Sequence, residues 1–161
     1  MSWSRRLPEL RRADTAEDIA AVEGLFRLYL RFVEGFLGES LDFQDTATEF
    51  ATFPAVYDAL LLARVDGEAV GACGIKPFRE GICELKRLYV LPQGRGHGLG
   101  RKLTEMAITE ARGLGYNRIY LDTDRGLTHA NAIYEALGFM DIGVYYDSPR
   151  AERSRYMALD L

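Results

Sequence analysis

Residues 84–103 read Glu84-Leu-Lys-Arg-Leu-Tyr-Val-Leu-Pro-Gln-Gly-Arg-Gly-His-Gly-Leu-Gly-Arg-Lys-Leu103. The stretch begins as a strand and breaks at Pro92, because proline lacks an N–H donor and locks φ. Glycines then alternate at Gly94, Gly96, Gly98 and Gly100. Beyond them Leu99, Leu103, Met106, Ala107, Ala111 and Leu114 recur at helical spacing, with Gly113 and Gly115 to end the run. Glycine at this density marks backbone that approaches something closely or takes positive φ. A glycine turn entering a helix exposes backbone N–H groups and the positive end of the helix dipole, which together favour phosphate. The expectation is a phosphate-bearing cofactor at residues 94–101.

Working outward, residues 82–90 form a strand and residues 59–65 a buried one. Asp66-Gly67 is a hairpin signal. Residues 69–75 supply another strand, and 77–81 a turn. Strands joined this tightly predict an antiparallel meander. Residues 118–122 form a strand that follows 82–90 through a helix, so the two run parallel. A short helix is expected over 128–137, closed by Gly138. Val144 with Tyr145, and residues 155–159, are read as the last strands.

Toward the N-terminus, residues 9–13 suggest a first strand. Thr15 with Asp18 three residues on is a variant of the capping box. Val22, Leu25, Phe26, Tyr29, Val33 and Phe36 then make one apolar stripe, which Gly35 and Gly38 end. Asp45 is expected to cap a short helix reaching Phe53, stopped by Pro54. Phe43, Phe50, Phe53 and Tyr57 either line a substrate pocket or pin this segment to the core. This order of elements is α+β with one mixed sheet.

The chain has 161 residues, 48% of them hydrophobic and 27% charged, with a net charge of −4. That profile suits one soluble domain and argues against a basic nucleic-acid-binding surface. Cys73 and Cys83 are the two cysteines; they lack CxxC spacing, lie in apolar runs and read as buried thiols. Neither has a cue for activation as a nucleophile. The start of the chain lacks an apolar leader pattern, and no run reaches the length of a membrane span. The expected location is cytoplasmic, with no membrane partner and no metal.

A Walker A loop needs GxxxxGK[ST], which residues 94–102 do not supply. A dinucleotide fingerprint needs GxGxxG, and the third glycine falls on Arg101 or Leu99. What stands here is Arg95-Gly96-His97-Gly98-Leu99-Gly100 directly after a strand. The run Val90-Leu-Pro-Gln-Gly-Arg-Gly-His-Gly-Leu-Gly resembles motif A of the GCN5-related N-acetyltransferases (GNAT). Asn131-Ala-Ile-Tyr-Glu-Ala-Leu-Gly-Phe139 resembles motif B of that family, in the right place after the next strand. From about residue 9 the element order matches as well.

The resemblance implies a single N-acetyltransferase domain over residues 9–161, with 1–8 loose. It implies a mixed, mostly antiparallel sheet of six to seven strands flanked by about four helices, with a V-shaped splay between the fourth and fifth strands. It implies acetyl-CoA (coenzyme A) as co-substrate. Backbone N–H groups of Arg95, Gly96, His97, Gly98, Leu99, Gly100 and Arg101 would hold the pyrophosphate. Leu88, Tyr89 and Val90 would meet the pantetheine arm, and Asn131 would touch it. Tyr134 would be the acid that protonates the leaving thiolate. Glu84 would be the base, its face shared with Lys86, Leu88 and Val90 by strand alternation; the alternative for it is an ion pair with Lys86 or Arg87. Asp122 and Asp124 are rival carboxylates. The expected reaction is direct transfer of acetyl to the primary amine of a small molecule. The alternatives are a coenzyme A-binding module without turnover and a protein or peptide N-acetyltransferase. Homodimers are common in the family.

Overall fold

The computed structural model describes residues 7–38, 40 and 45–161. Phe43 and residues 1–6 of the N-terminal segment lie outside the described residues. The chain forms β1 (Pro8–Arg12), α1 (Ala16–Leu37), α2 (Thr46–Ala51), β2 (Ala59–Val65), β3 (Glu68–Arg79), β4 (Ile82–Val90), α3 (Leu99–Gly113), β5 (Arg118–Asp124), α4 (Thr128–Ala136), β6 (Met140–Ile142) and β7 (Ser154–Asp160). Seven strands make one sheet in the order β1-β2-β3-β4-β5-β7-β6. The β4–β5 pair is parallel, as the crossover through α3 requires, and the other pairs are antiparallel.

Local chemistry places these elements. Thr15 caps α1, its hydroxyl accepting the Asp18 N–H at 3.1 Å, and Gly38 ends the helix at φ 69. Gly35 stays inside α1 rather than ending it. Asp66 and Gly67, at φ 54 and 81, turn β2 into β3. β3 extends through Pro77, so the following turn is tighter than expected and lies at residues 80–81. Val144 and Tyr145 are not in a strand; the strand before β7 is Met140–Ile142.

Two cores enclose the sheet. α3 buries Leu99, Leu103 and Ala107 against Leu61, Cys73 and Leu85. On the opposite face α1 buries Val22, Leu25 and Phe26 against Leu60, Leu62 and Ala72. Fully burying a side chain such as Phe26 or Leu103 contributes about 1.5–3 kcal/mol. Cys73 and Cys83 are free and buried; burial pushes the Cys83 thiol up to about 12, so neither is a ready nucleophile.

The functional geometry comes from two irregularities in β4. Its ladder with β5 spans Ile82↔Arg118 to Glu84↔Tyr120 and then stops, although both strands continue. The splay expected from the resemblance is therefore present. The second irregularity is a bulge. Arg87 has φ 61, and the β3 register jumps from Ala72↔Tyr89 to Gly74↔Lys86. The extra residue inverts the alternation beyond it. Leu88 and Val90 pack into the α3-side core, whereas Tyr89 meets Tyr29 and Phe32 of α1. Glu84 and Lys86 consequently do not share a face with Leu88 and Val90, contrary to simple alternation.

Candidate active site

The glycine corner closes the gap between β4 and α3. Pro92–Gly94 makes one 3-10 turn. A Cβ on Gly94 would stand 2.8 Å from Val70 Cβ, so only glycine lets the turn fold back onto β3. Gly96 and Gly98 follow at φ 88 and 65, in open space. Gly98 is the N-cap of α3, and no side chain caps the helix. The first-turn N–H groups of α3 are thus available to an anion, aided by the helix dipole. Arg95 and Arg101 are exposed, His97 is half-buried, and Leu99 is anchored in the core. Arg101 forms an i,i+4 pair with Glu105 at 2.8 Å.

α4 is laid directly against this corner. A Cβ on Gly100 would meet Ile133 Cδ1 at 3.1 Å, which fixes how closely the start of α3 approaches the second turn of α4. Tyr134, next to Ile133, is buried and stacks edge-on against Phe139 with centroids 5.8 Å apart. Burial pushes its hydroxyl pKa up, and the nearby Tyr29, Cys73 and Asp122 add to the effect. The phenol is therefore held neutral, with its proton in place. Asn131 ties α4 to the end of β5: its Oδ1 accepts from Thr123 Oγ1 at 2.9 Å, and its Nδ2 donates to the Asp124 carbonyl at 3.1 Å.

The carboxylates lie on the α1 face of the splay. Glu84 is 6% exposed, and its Oε2 accepts from the Tyr145 hydroxyl at 2.8 Å. Asp122 Oδ2 accepts from the Tyr146 hydroxyl at 2.7 Å. Lys86 Nζ stands between them, 3.8 Å from Glu84 Oε2 and 3.5 Å from Asp122 Oδ1. Burial would raise the Asp122 pKa, but the Lys86 charge and the Tyr146 hydrogen bond outweigh it and hold the carboxyl below its usual range. Asp124 pairs with Arg153 at 3.6 Å and accepts from the Gly126 N–H at 2.8 Å. A cleft over this face is lined by Tyr29, Lys86, Arg87, Asp122, Tyr146 and Arg150, among others.

The structure thus gathers Glu84 and Asp122 around Lys86 on the α1 face of the sheet and buries Tyr134 in the α3-side core. It also brings in residues that sequence reasoning missed. Tyr145 and Tyr146 belong to the connection between β6 and β7, and their partners are distant in sequence; the doubled tyrosine was the available signal. Arg87 does not pair with Glu84. It reaches Glu49 of α2 at 2.8 Å, and Tyr57 donates to the same carboxylate at 2.6 Å. Phe50, Phe53 and Tyr57 pack against the α1-side core, so those aromatics pin the segment down.

Comparison with known proteins follows the same geometry. The model of the acetyltransferase (GNAT) family matches residues 16–139. The chain is similar to an uncharacterised N-acetyltransferase, YjgM, of Escherichia coli (strain K12), with 45% identity over 87 residues, 52% of each chain. The chain therefore spans about half the length of that relative. It is also similar to an uncharacterised N-acetyltransferase of Schizosaccharomyces pombe, with 36% identity over 118 residues, 70% of this chain and 72% of that one. Among solved structures, the GNAT family N-acetyltransferase YhbS of Escherichia coli, in complex with CoA, superposes with a TM-score of 0.72. That match covers 99% of this chain and 84% of the other at 18% identity, a likeness of fold.

Proposed function

The chain belongs to the acetyltransferase (GNAT) family, and from that premise we propose that it is an acetyl-CoA-dependent N-acyltransferase acting on the primary amine of a small molecule by direct attack. The observation that carries this reading is the approach of α4 to the start of α3. Ile133, the neighbour of the buried and neutral Tyr134, meets Gly100 in the first turn of α3, whose N-terminus no side chain caps. The residues fit the co-substrate. The glycine corner leaves no side chain between solvent and the first-turn N–H groups, as pyrophosphate requires. Relatives named N-acetyltransferases, and a similar fold solved with CoA, support the same assignment.

Acetyl-CoA, when bound, supplies a thioester whose carbonyl carbon accepts the amine. The chain's own groups then have four tasks. Glu84 takes the amine proton; its Oε2 already accepts a hydrogen bond from Tyr145, which the proton donor would replace. Asp122, held as a carboxylate by Lys86, is the weaker base and serves to attract and orient a cationic acceptor. The β4 edge between Leu88 and Val90, beyond the end of the β5 ladder, offers backbone N–H to the developing oxyanion. Tyr134 gives its proton to the departing thiolate, whose thiol has a pKa of about 8.5, and is reprotonated from solvent once the thiol has left. Arg95 and Arg101 stand exposed beside the phosphate corner.

No helix among the described residues is long and apolar enough to cross a membrane, and the proposal places the reaction in the cytoplasm. The test is thiol release from acetyl-CoA across a broad panel of small primary amines, with the acetylated product identified by mass. Turnover on small amines is expected. Turnover confined to polypeptides would replace the small-molecule reading. Saturable acetyl-CoA binding with no thiol release on any acceptor would reduce the chain to a binding module.

A further inference from the structure

Arg87 is the point at which β4 bends. Among the described residues it is the one non-glycine residue inside a strand with φ in the left-handed region. That conformation costs an L-residue about 1 kcal/mol or more, and persists only where the surroundings hold it. The holding group is Glu49 of α2. The guanidinium reaches across to α2, with Nη2 2.8 Å from Glu49 Oε1 and Nε 3.5 Å from Glu49 Oε2. The Tyr57 hydroxyl donates to the same Oε2 at 2.6 Å. The Tyr57 ring in turn sits on Gly74, where a Cβ would lie 2.7 Å from it. Gly74 pairs with Lys86, the residue just before the bulge. Glu49 and Arg87 are 7% and 6% exposed. Burial would raise the Glu49 pKa, but the Arg87 guanidinium and the Tyr57 hydrogen bond outweigh it and keep the carboxyl ionised.

An ion pair on the surface would need no such seat. Here a buried pair, a tyrosine and a glycine fix one irregular peptide from the α1–α2 side. Beyond that peptide Leu88 and Val90 turn to the α3 core, on a stretch of β4 that lies past the end of the β5 ladder at Glu84. We propose that Glu49 and Arg87 are positioning residues for the reaction: from helix α2 they set the β4 bulge, and with it the backbone N–H that holds the thioester oxygen. The inference rests on the acetyl-transfer reading above. A donor displaced by a fraction of an ångström no longer meets the oxyanion, while ground-state binding is largely spared.

The test uses Glu49→Gln, Arg87→Gly and Tyr57→Phe in the full chain. Gly tolerates the φ of position 87, so this variant keeps the backbone conformation available while removing the clamp. Tyr57→Phe deletes one hydrogen bond and keeps the ring, so a folded variant is available even if the others melt. Two rates are read: acetyl transfer to the best amine of the panel, and acetyl-CoA hydrolysis without an acceptor, since both need the same oxyanion donor. The expected result is a fall in kcat of about tenfold or more for Glu49→Gln, with smaller falls for Tyr57→Phe and for Arg87→Gly, whose glycine takes the left-handed φ unaided. Hydrolysis should fall in parallel, and the acetyl-CoA KM should stay within about twofold. Lower melting temperatures with both rates unchanged in Tyr57→Phe and any other folded variant would overturn the proposal. So would a change confined to the acceptor KM. A silent wild type would defeat the acetyl-transfer reading and this inference with it, whereas an active wild type with unaffected variants defeats this inference alone.

Discussion

Lys86 Nζ lies 3.5 Å from Asp122 Oδ1, and this contact joins β4 to β5 just beyond the point where their ladder ends. It replaces a backbone pairing with a charge pair, and it decides the ionisation of Asp122. Lys86→Met removes the charge that offsets burial, so the Asp122 pKa should rise instead of being depressed. In the wild type the depressed carboxyl contributes stability above the unfolded carboxylate pKa and loses it in acid. In the variant the sign reverses: the folded state binds more protons than the unfolded one, so stability falls as pH rises from about 4 through the raised folded pKa. Leaving a buried carboxylate without its cation costs about 3 kcal/mol near neutrality. Denaturant melts of both proteins between pH 4 and 8 read this directly. The acid limb of kcat/KM should also move toward neutral pH; parallel stability curves would refute the assignment.

Tyr134→Phe tests the acid. The ring keeps its edge-on contact with Phe139, so the melting temperature should hardly change. The lost proton donor should lower kcat by about 100-fold or more, with acetyl-CoA binding intact. Because burial pushes the hydroxyl pKa above its ordinary value near 10, Tyr134 should cause no alkaline loss of activity below that pH in the wild type. A variant that retained full kcat would assign Tyr134 to packing.

Gly96 and Gly113 separate cofactor binding from helix propensity. Gly96 has φ 88 and open space around it, so alanine fits sterically but sits in a strained backbone region. Gly96→Ala should cost about 1 kcal/mol of stability. It should also raise the acetyl-CoA KM roughly tenfold, equivalent to about 1.4 kcal/mol of binding. Gly113, at the far end of α3, has no positive φ and nothing within 4 Å of an added Cβ. Gly113→Ala should leave KM unchanged. Equal KM values in the two variants would remove the phosphate role from the corner.

Asp18 gives the N-terminal strand its attachment. Its carboxylate takes Arg11 at 2.9 Å and Arg64 at 2.6 Å, so the N3 residue of α1 ties β1 and β2 to the helix instead of completing a capping box. The Arg11 hydrogen bond lowers the Asp18 pKa, against burial and with help from Arg64. A depressed carboxylate stabilises the fold above the unfolded pKa of about 3.9 and ceases to do so as pH falls through its folded value. Asp18→Asn should therefore melt lower than the wild type at pH 7, with a gap that closes below about pH 4. A gap independent of pH would mean that shape, not charge, matters at this position.

Much of this chain is legible from local pattern. The glycine corner, the amphipathic stripes of α1 and α3, the Asp66-Gly67 turn and the crossover into β5 all follow from rules that act over a few residues. Proline, glycine and hydrophobic period carry them, because steric and capping preferences are local. The two motifs likewise stand in contiguous runs, so the family could be read before any contact was known. What could not be read depends on partners far apart in the chain. The left-handed Arg87 looks like any strand residue until Glu49 and Tyr57 close around it. One inserted residue there reverses which side chains face which core, a parity change invisible to alternation counting. Tyr145 and Tyr146 cover Glu84 and Asp122 only because β7 enters the sheet between β5 and β6. Sequence determined the elements and the glycine corner through local sterics. The tertiary structure decided the charge state and company of the carboxylates, because burial and long-range ion pairs set those and neither is a property of a short stretch.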